Sequence, residues 1–277
     1  MVRRGMVASR SEAALAIESG KVSVGDRAKI KASTLVRPDE PILRSSPARR
    51  FASRGGDKLD AALDGFGIDV AGRLALDAGA SSGGFTDCLL DRGAAHVVAV
   101  DVGYGQLHWR LRHDPRVTVL ERTNVRNLEP HQLPYRADLI TADLSFISLR
   151  LALGSLVLCS SPGAEFVLLV KPQFEAGRGH VGRGGVVSEP QTWLQALYGV
   201  AAACIEQGLA PVGTMVSPLL GPAGNVEFFL RATGERGPLP GIEDSTRLGL
   251  DFDRALQEAS ALVDRRTGRS SPAASRG

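Results

Sequence analysis

The chain has 277 residues, 43% of them hydrophobic, with three cysteines and a formal net charge of +3. That length admits one or two domains with a substantial core. No apolar run reaches the roughly 18 residues of a membrane span, and residues 1–10 lack the apolar core of a signal peptide. Cys88, Cys159 and Cys204 are far apart in the chain. Their spacing gives neither a zinc site nor a disulfide framework and fits a reducing cytoplasm. The charge is uneven. Residues 1–55 hold 12 Lys+Arg against 5 Asp+Glu, net +7, and the remaining 222 hold 21 against 25, net −4. A small basic module on a mildly acidic body points to a polyanion as partner of the module.

In chain order, residues 9–20 read as a capped helix: Ser9 or Ser11 at the start, Ala13, Ala14 and Ile17 on one face, Gly20 at the stop. Residues 21–28 give a short alternating strand and a Gly-Asp turn. Residues 37–54 hold three prolines and read as a strand end plus linker. A helix over 57–66 follows, with Leu59, Leu63 and Phe66 inward. From Leu74 onward strands and helices alternate, as in a parallel sheet. The expected strands are 74–78, 96–101, 116–121, 137–143, 165–171, 209–216 and 226–232, the last two an antiparallel hairpin. The expected helices lie near 84–92, 105–113, 148–159 and 189–207, with one charged helix over 244–266 and a disordered tail from 267.

Two features carry chemistry. The first is the glycine-rich strand-to-helix turn Asp77-Ala-Gly-Ala-Ser-Ser-Gly-Gly-Phe85. Such a turn is a common cofactor corner of open α/β sheets, and Asp101, at the tip of the next strand, can accept from ribose hydroxyls. NAD and S-adenosylmethionine both suit that corner, but the G-x-G-x-x-G spacing of a dinucleotide site is not met. The second is a set of charges closing apolar strands: Asp143, ending Ala137-Asp-Leu-Ile-Thr-Ala-Asp143, and Lys171, ending Glu165-Phe-Val-Leu-Leu-Val-Lys171. In open α/β sheets ligands bind outside the carboxyl ends of the strands.

The turn resembles motif I of class I methyltransferases, particularly the FtsJ-like ribose methyltransferases. Lys58, Asp143, Lys171 and Glu227 resemble their Lys-Asp-Lys-Glu tetrad. Arg54-Gly-Gly-Asp-Lys-Leu59, Asp101-Val-Gly-Tyr-Gly-Gln-Leu107, Val170-Lys-Pro-Gln-Phe-Glu175 and Gly224-Asn-Val-Glu-Phe228 are similar to the TlyA family, and the likeness runs from the first residues to about 232. Arg3-Arg4-Gly, Ser9-Arg10, the alanine-rich helix and Gly-Lys21-Val resemble the RNA-binding domain of ribosomal small-subunit protein four. Residues that normally precede Arg-Arg-Gly in that module are missing, so either a clipped first helix or a misassigned start is expected.

The resemblance implies an α/β class I (Rossmann-like) methyltransferase, with a seven-stranded, mostly parallel sheet and a small α+β RNA-binding domain. The expected divisions are an RNA-binding domain at 1–45, a linker at 46–54, a methyltransferase domain at 55–235, and a C-terminal helix and tail at 236–277. It implies transfer of the S-adenosylmethionine methyl to the 2′-hydroxyl of cytidine in 16S and/or 23S ribosomal RNA, in the cytoplasm, on ribosomal subunits and away from membranes, with a monomer favoured. The implied catalytic set is Lys58, Asp143, Lys171 and Glu227. The implied cofactor set is Asp77, Gly79, Ala80, Ser81, Ser82, Gly83, Gly84, Phe85, Asp101, Val102, Asn124 and Asp143. Amides of the turn would hold the methionine moiety and Asn124 would meet the adenine. Arg3, Arg4, Ser9, Arg10, Lys21, Arg178 and Arg183 would contact RNA phosphates, the last two from a glycine-rich lid over 175–185. A lysine is almost wholly protonated at neutral pH, so accepting a proton requires a second cation or desolvation beside it. Lys171 is therefore assigned as proton acceptor or hydroxyl orienter, with Lys58 as the neighbouring cation, Asp143 orienting Lys171, and Glu227 holding Lys58 or the ribose. The competing reading is an RNA-binding ribosome assembly factor with an inactive methyltransferase fold. A base methyltransferase would favour an Asn/Asp-Pro-Pro-Tyr motif where Asp143-Leu-Ser-Phe stands, and no metal set is expected. The haemolysin label carried by this family finds no membrane-inserting stretch here.

Overall fold

The computed structural model describes residues 1–7, 10–18, 20–25, 27, 30–44, 50–177, 182–234 and 250–267. The chain divides into two compact units, 1–50 and 51–277.

The first unit contains a helix, α1 (Arg10–Glu18), and a two-stranded antiparallel sheet, β1 (Val22–Val24) with β2 (Ile42–Arg44). Val22 and Val24 are buried while Ser23 between them is not, the alternation of a half-buried strand. A short 3₁₀ turn, Val2–Arg4, precedes them.

The second unit is built on a seven-stranded sheet of order β5-β4-β3-β6-β7-β9-β8. Its strands are β3 (Leu74–Ala78), β4 (His96–Val100), β5 (Val117–Leu120), β6 (Ala137–Ala142), β7 (Ser160–Val170), β8 (Leu209–Val216) and β9 (Phe228–Gly234). β3 to β7 pair in parallel, and β9 pairs antiparallel with both β7 and β8. Parallel strands covered on both faces should be apolar throughout, and Val97, Val98, Ala99 and Val100 are all buried.

Helices cover the sheet: α2 (Arg54–Phe66), α3 (Gly84–Asp91), α4 (Trp109–Arg112), α5 (Leu153–Leu158), α6 (Pro172–Glu175), α7 (Pro190–Glu206) and α8 (Phe252–Thr267). One apolar face joins Leu59 and Leu63 of α2 to Ala75, Leu139, Val167, Leu169 and Phe229 of the sheet. The other carries α5, α7 and α8 on Leu76, Ile140, Phe166, Leu168 and Phe228.

Four expectations need correction. The linker ends before 51: Phe51 is buried and Ser53 caps α2, its hydroxyl accepting from Gly55 N at 3.2 Å. The C-terminal helix is no appendage, because Phe252, Ala255 and Ala259 are buried in the core of the second unit. The helix expected over 105–113 shrinks to α4 because Asp101 and Glu121 capture the amides of Gly103 and Gly105, both at 2.7 Å, and hold that stretch as a loop. The final strand begins at Phe228 rather than 226, and residues 217–227 form the connection from β8. Residues 244–249 of the expected last helix and the tail from 268 lie outside the described residues.

Candidate active site

Side chains alternate between the two faces of a strand. Ala75, Leu139, Leu169 and Phe229 all face α2. The residues two positions on, towards the carboxyl edge of each parallel strand, therefore share that face: Asp77 on β3, Thr141 and then Asp143 past β6, Lys171 past β7. Glu227 precedes β9 on the same face. The last ladder pair of β7 and β9 is Val170 with Phe228, so Lys171 and Glu227 emerge side by side. Period-2 geometry alone thus gathers the charged set on one side of one edge.

Two ion pairs result. Lys58 Nζ, from the first turns of α2, lies 2.5 Å from Glu227 Oε2, with side-chain exposures of 7% and 1%. Lys171 Nζ lies 2.5 Å from Asp143 Oδ1 and donates to Ser145 Oγ at 2.9 Å. The approach to Asp143 is an ion pair without hydrogen-bond alignment, and that buried Oδ1 has no hydrogen-bond donor. Asp143 itself is fixed by its backbone, its N–H donating to Ala78 O at 2.9 Å. Gly79 beside it has φ +86°, and a Cβ there would stand 2.5 Å from Asp143 O. Only glycine lets the β3 turn pass this closely.

Next to the Lys171–Asp143 pair is a cavity of about 360 Å³. Gly79, Ser81, Asp101, Val102, Asn124 and Asp143 line it, together with Leu144, Ser145, Phe146 and Ile147. The other expected cofactor residues do not. Asp77 is wholly buried, accepting from Thr86 Oγ1 at 2.6 Å and from Thr141 Oγ1 at 3.4 Å. Burial pushes its carboxyl up to about 7, the Thr86 hydrogen bond opposing and the Asp143 charge adding to the rise. Phe85 is buried and stacks on Phe229 at 6.2 Å, while Ala80, Ser82, Gly83 and Gly84 are absent from the cavity wall.

The turn amides are also committed elsewhere. Gly79 N and Ala80 N donate to Val100 O at 2.8 and 3.0 Å, and Gly83 N donates to Ala80 O at 2.7 Å. Ser81 N donates to Asp101 Oδ2 at 2.7 Å. Asp101 therefore cross-links the turn to the loop after β4, since its Oδ1 accepts from Gly103 N at 2.7 Å. Asn124 caps the following 3₁₀ turn, Oδ1 accepting from Arg126 N at 3.1 Å, which leaves its amide nitrogen to the cavity.

In the first unit Arg3, Arg10 and Lys21 are exposed. Arg4 is not available as expected: its guanidinium donates to the carbonyls of Glu40, Arg37 and Pro38 at 2.7, 2.8 and 2.8 Å, tying the start of the chain to the 37–40 turn. Ser9 and Arg178 lie outside the described residues, as does the Arg183 side chain. Sequence reading missed Ser145 and Glu175. The signal for both was their place in the words Asp-Leu-Ser-Phe and Lys-Pro-Gln-Phe-Glu, directly after strand ends.

A family model described as FtsJ-like methyltransferase matches residues 51–233. The chain belongs to the FtsJ-like methyltransferase family. It is 52% identical over 249 residues to the 16S/23S rRNA (cytidine-2′-O)-methyltransferase TlyA of Mycobacterium tuberculosis, covering 88% of this chain and 93% of that protein. It is 36% identical over 183 residues to the 23S rRNA (cytidine-2′-O)-methyltransferase TlyA of Campylobacter jejuni, covering 65% and 69%. A solved structure from Streptococcus thermophilus that carries the hemolysin name superposes with a TM-score of 0.78 at 33% identity, covering 96% of this chain and 95% of that one. Lys58, Asp143, Lys171 and Glu227, all within the matched residues, stand in two ion pairs. Among the described residues no helix is long and apolar enough to cross a membrane.

Proposed function

We propose that the chain is a ribosomal RNA methyltransferase that moves the methyl group of S-adenosylmethionine to the 2′-hydroxyl of cytidine, in 16S rRNA, 23S rRNA or both. The observation that carries this reading is the pairing of Lys171 with Asp143, and of Lys58 with Glu227, on one face of the carboxyl edge, with Asp143 lining the cavity.

The cavity suits that donor. Asp101 offers carboxylate oxygens to ribose hydroxyls, Val102, Leu144 and Ile147 an apolar wall to a base, and Asn124 an amide nitrogen. Asp143, paired with Lys171, gives the wall a carboxylate beside the donor. Gly79, Ser81, Asp101, Val102, Asn124 and Asp143 would hold it. Bound there, S-adenosylmethionine supplies an electrophilic methyl on a cationic sulfur.

The protein's own work is to present the ribose oxygen. Lys171, held by Asp143 and Ser145, meets the 2′-hydroxyl and orients its lone pair; it takes the hydroxyl proton in its neutral form, or as the ammonium passes one of its own protons to Asp143 as it takes the hydroxyl's. Lys58 adds positive potential where the oxygen gains negative charge, and Glu227 fixes its position. In a two-substrate displacement much of the rate comes from such alignment, and charges set in a poorly hydrated site act strongly without reorganising. Arg3, Arg10 and Lys21 give the N-terminal unit a basic surface for RNA phosphates, which positions the enzyme without reading sequence. On this reading the protein works in the cytoplasm, as a monomer, on ribosomal subunits. No observation favours an inactive fold.

The test is to map ribose methylation on ribosomal RNA from a host lacking the mark, with the wild type and with Lys171→Ala. A new 2′-O-methylcytidine that the variant fails to make is expected. Absence of any mark with the wild type, despite donor binding, would overturn the reading.

A further inference from the structure

The mechanism makes no use of Glu175, yet this carboxylate is among the most buried charges of the second unit, with 3% side-chain exposure. It is the last residue of α6, the single turn that starts from Lys171, and its N–H donates to Lys171 O at 3.3 Å. Its side chain crosses to a different segment. Oε2 accepts from Ser148 Oγ at 2.5 Å and Oε1 from Leu149 N at 2.7 Å. Arg150 adds to the grip, with Nε 3.4 Å from Oε2 and a guanidinium nitrogen donating to Glu175 O at 3.2 Å.

The segment so held is the one between Asp143 and Leu149. Leu144, Ser145, Phe146 and Ile147 form one wall of the donor cavity, and Ser145 accepts from Lys171. Its conformation is unfavourable in isolation. Phe146 has φ +67° and is 88% exposed, an aromatic side chain in the left-handed region whose ring meets Phe174 of α6 at 5.3 Å between centroids. Strain of this kind persists only where both flanks are fixed by their surroundings. One flank is fixed by Asp143 N on Ala78 O. The other is fixed at Ser148 and Leu149, and both of those bonds end on Glu175.

We propose that Glu175 is a positioning residue for methyl transfer: it pins the strained 144–148 segment, so that the wall of the donor cavity and the Ser145 contact to Lys171 are set by one buried carboxylate. The proposal rests on the reading of Lys171 and Asp143 given above. A carboxylate is suited to the task because its two oxygens accept from a side chain and a backbone amide at once. Burial makes those bonds strong and makes a missing one costly.

The test compares Glu175→Ala, Glu175→Gln and Lys171→Ala in the full chain. S-adenosylmethionine affinity is measured by calorimetry, turnover on ribosomal subunits, and melting temperature in parallel. Glu175→Ala is expected to weaken donor binding at least tenfold and to lower kcat. Glu175→Gln, which still accepts from Leu149 N and can donate to Ser148 Oγ, should recover donor affinity to within about threefold. Lys171→Ala should lose turnover. An active Lys171→Ala would sink the underlying reading and leave the Glu175 result to stand or fall by itself. Wild-type donor affinity and kcat in Glu175→Ala would overturn the proposal. So would losses in Ala and Gln variants that follow melting temperature alone. Should the Ala variant fail to fold, Glu175→Asp, one methylene short of the loop, decides by the same two readouts.

Discussion

Glu227 stands next to Lys171 in the strand register, yet its carboxylate turns away to Lys58, 169 residues earlier in the chain, at 2.5 Å. Each lysine of the site therefore has its own acid. Removing one member of a buried pair leaves an uncompensated charge and typically costs about 3–5 kcal/mol, whereas replacing both by apolar residues is often neutral. Glu227→Gln is expected to lower stability by an amount in that range and to abolish methylation. The double variant Lys58→Met, Glu227→Leu should melt near the wild type and remain inactive. Denaturant titration with an activity assay separates the two effects.

Gly221 lies under the same carboxylate. A Cβ there would stand 2.5 Å from Glu227 Oε1. Gly221→Ala should displace Glu227 from Lys58, lowering kcat at least tenfold while leaving S-adenosylmethionine affinity unchanged. Steady-state kinetics at saturating donor checks this; a normal kcat would show that the connection before β9 yields instead.

Asp77 gives the fold a pH dependence of definite sign. Its folded-state carboxyl is raised by burial to about 7, against about 3.9 unfolded. The folded state therefore holds the proton more tightly, so this contribution is complete below about pH 4 and is lost as pH rises through about 7. Glu175, also raised by burial, acts in the same direction. Asp77→Asn, which keeps an acceptor for Thr141 and can still bond Thr86, should reduce the loss of stability between pH 5 and pH 8. The difference is about 3 kcal/mol at most. Urea titrations at the two pH values measure it.

Asp101 links the β3 turn to the loop after β4 through the amides of Ser81 and Gly103. A hydrogen bond to a charged group contributes about 1.5–3 kcal/mol. Asp101→Asn keeps only one oxygen and is expected to weaken S-adenosylmethionine binding by one to two orders of magnitude and to lower the melting temperature by several degrees. Calorimetry with the donor alone reads this without any RNA.

The sheet and the charged edge were legible because both follow from short-range pattern. Runs such as Ala-Asp-Leu-Ile-Thr-Ala and Glu-Phe-Val-Leu-Leu-Val announce strands, and Asp143 and Lys171 announce where they leave the core. The turn of residues 77–85 was legible as a corner but misleading in detail. Sequence gives no sign that Asp77 and Phe85 point into the core, or that the amides of Gly79, Ala80 and Ser81 already have acceptors. Those facts depend on Val100 and Asp101, contributed by the neighbouring strand. Glu175 was marked by its place after a strand end but not by its contacts, for a related reason. Its partners at 148 and 149 are reached across α6, and no local periodicity marks a carboxylate that folds inward. Arg4 reads as a phosphate ligand until the 37–40 turn places three carbonyls around it.

The order of the sheet also sets a timetable. β9, the last strand among the described residues, lies between β7 and β8, which precede it. It is the strand that brings Glu227 to Lys58. A chain emerging from a ribosome therefore completes its charged site only when β9 has emerged and can pair with β7 and β8. Until then Lys58 has no acid to meet. An enzyme of ribosomal RNA built in this way is assembled by the ribosome in a form that cannot act on it, and is completed only when the chain through residue 234 is free to fold.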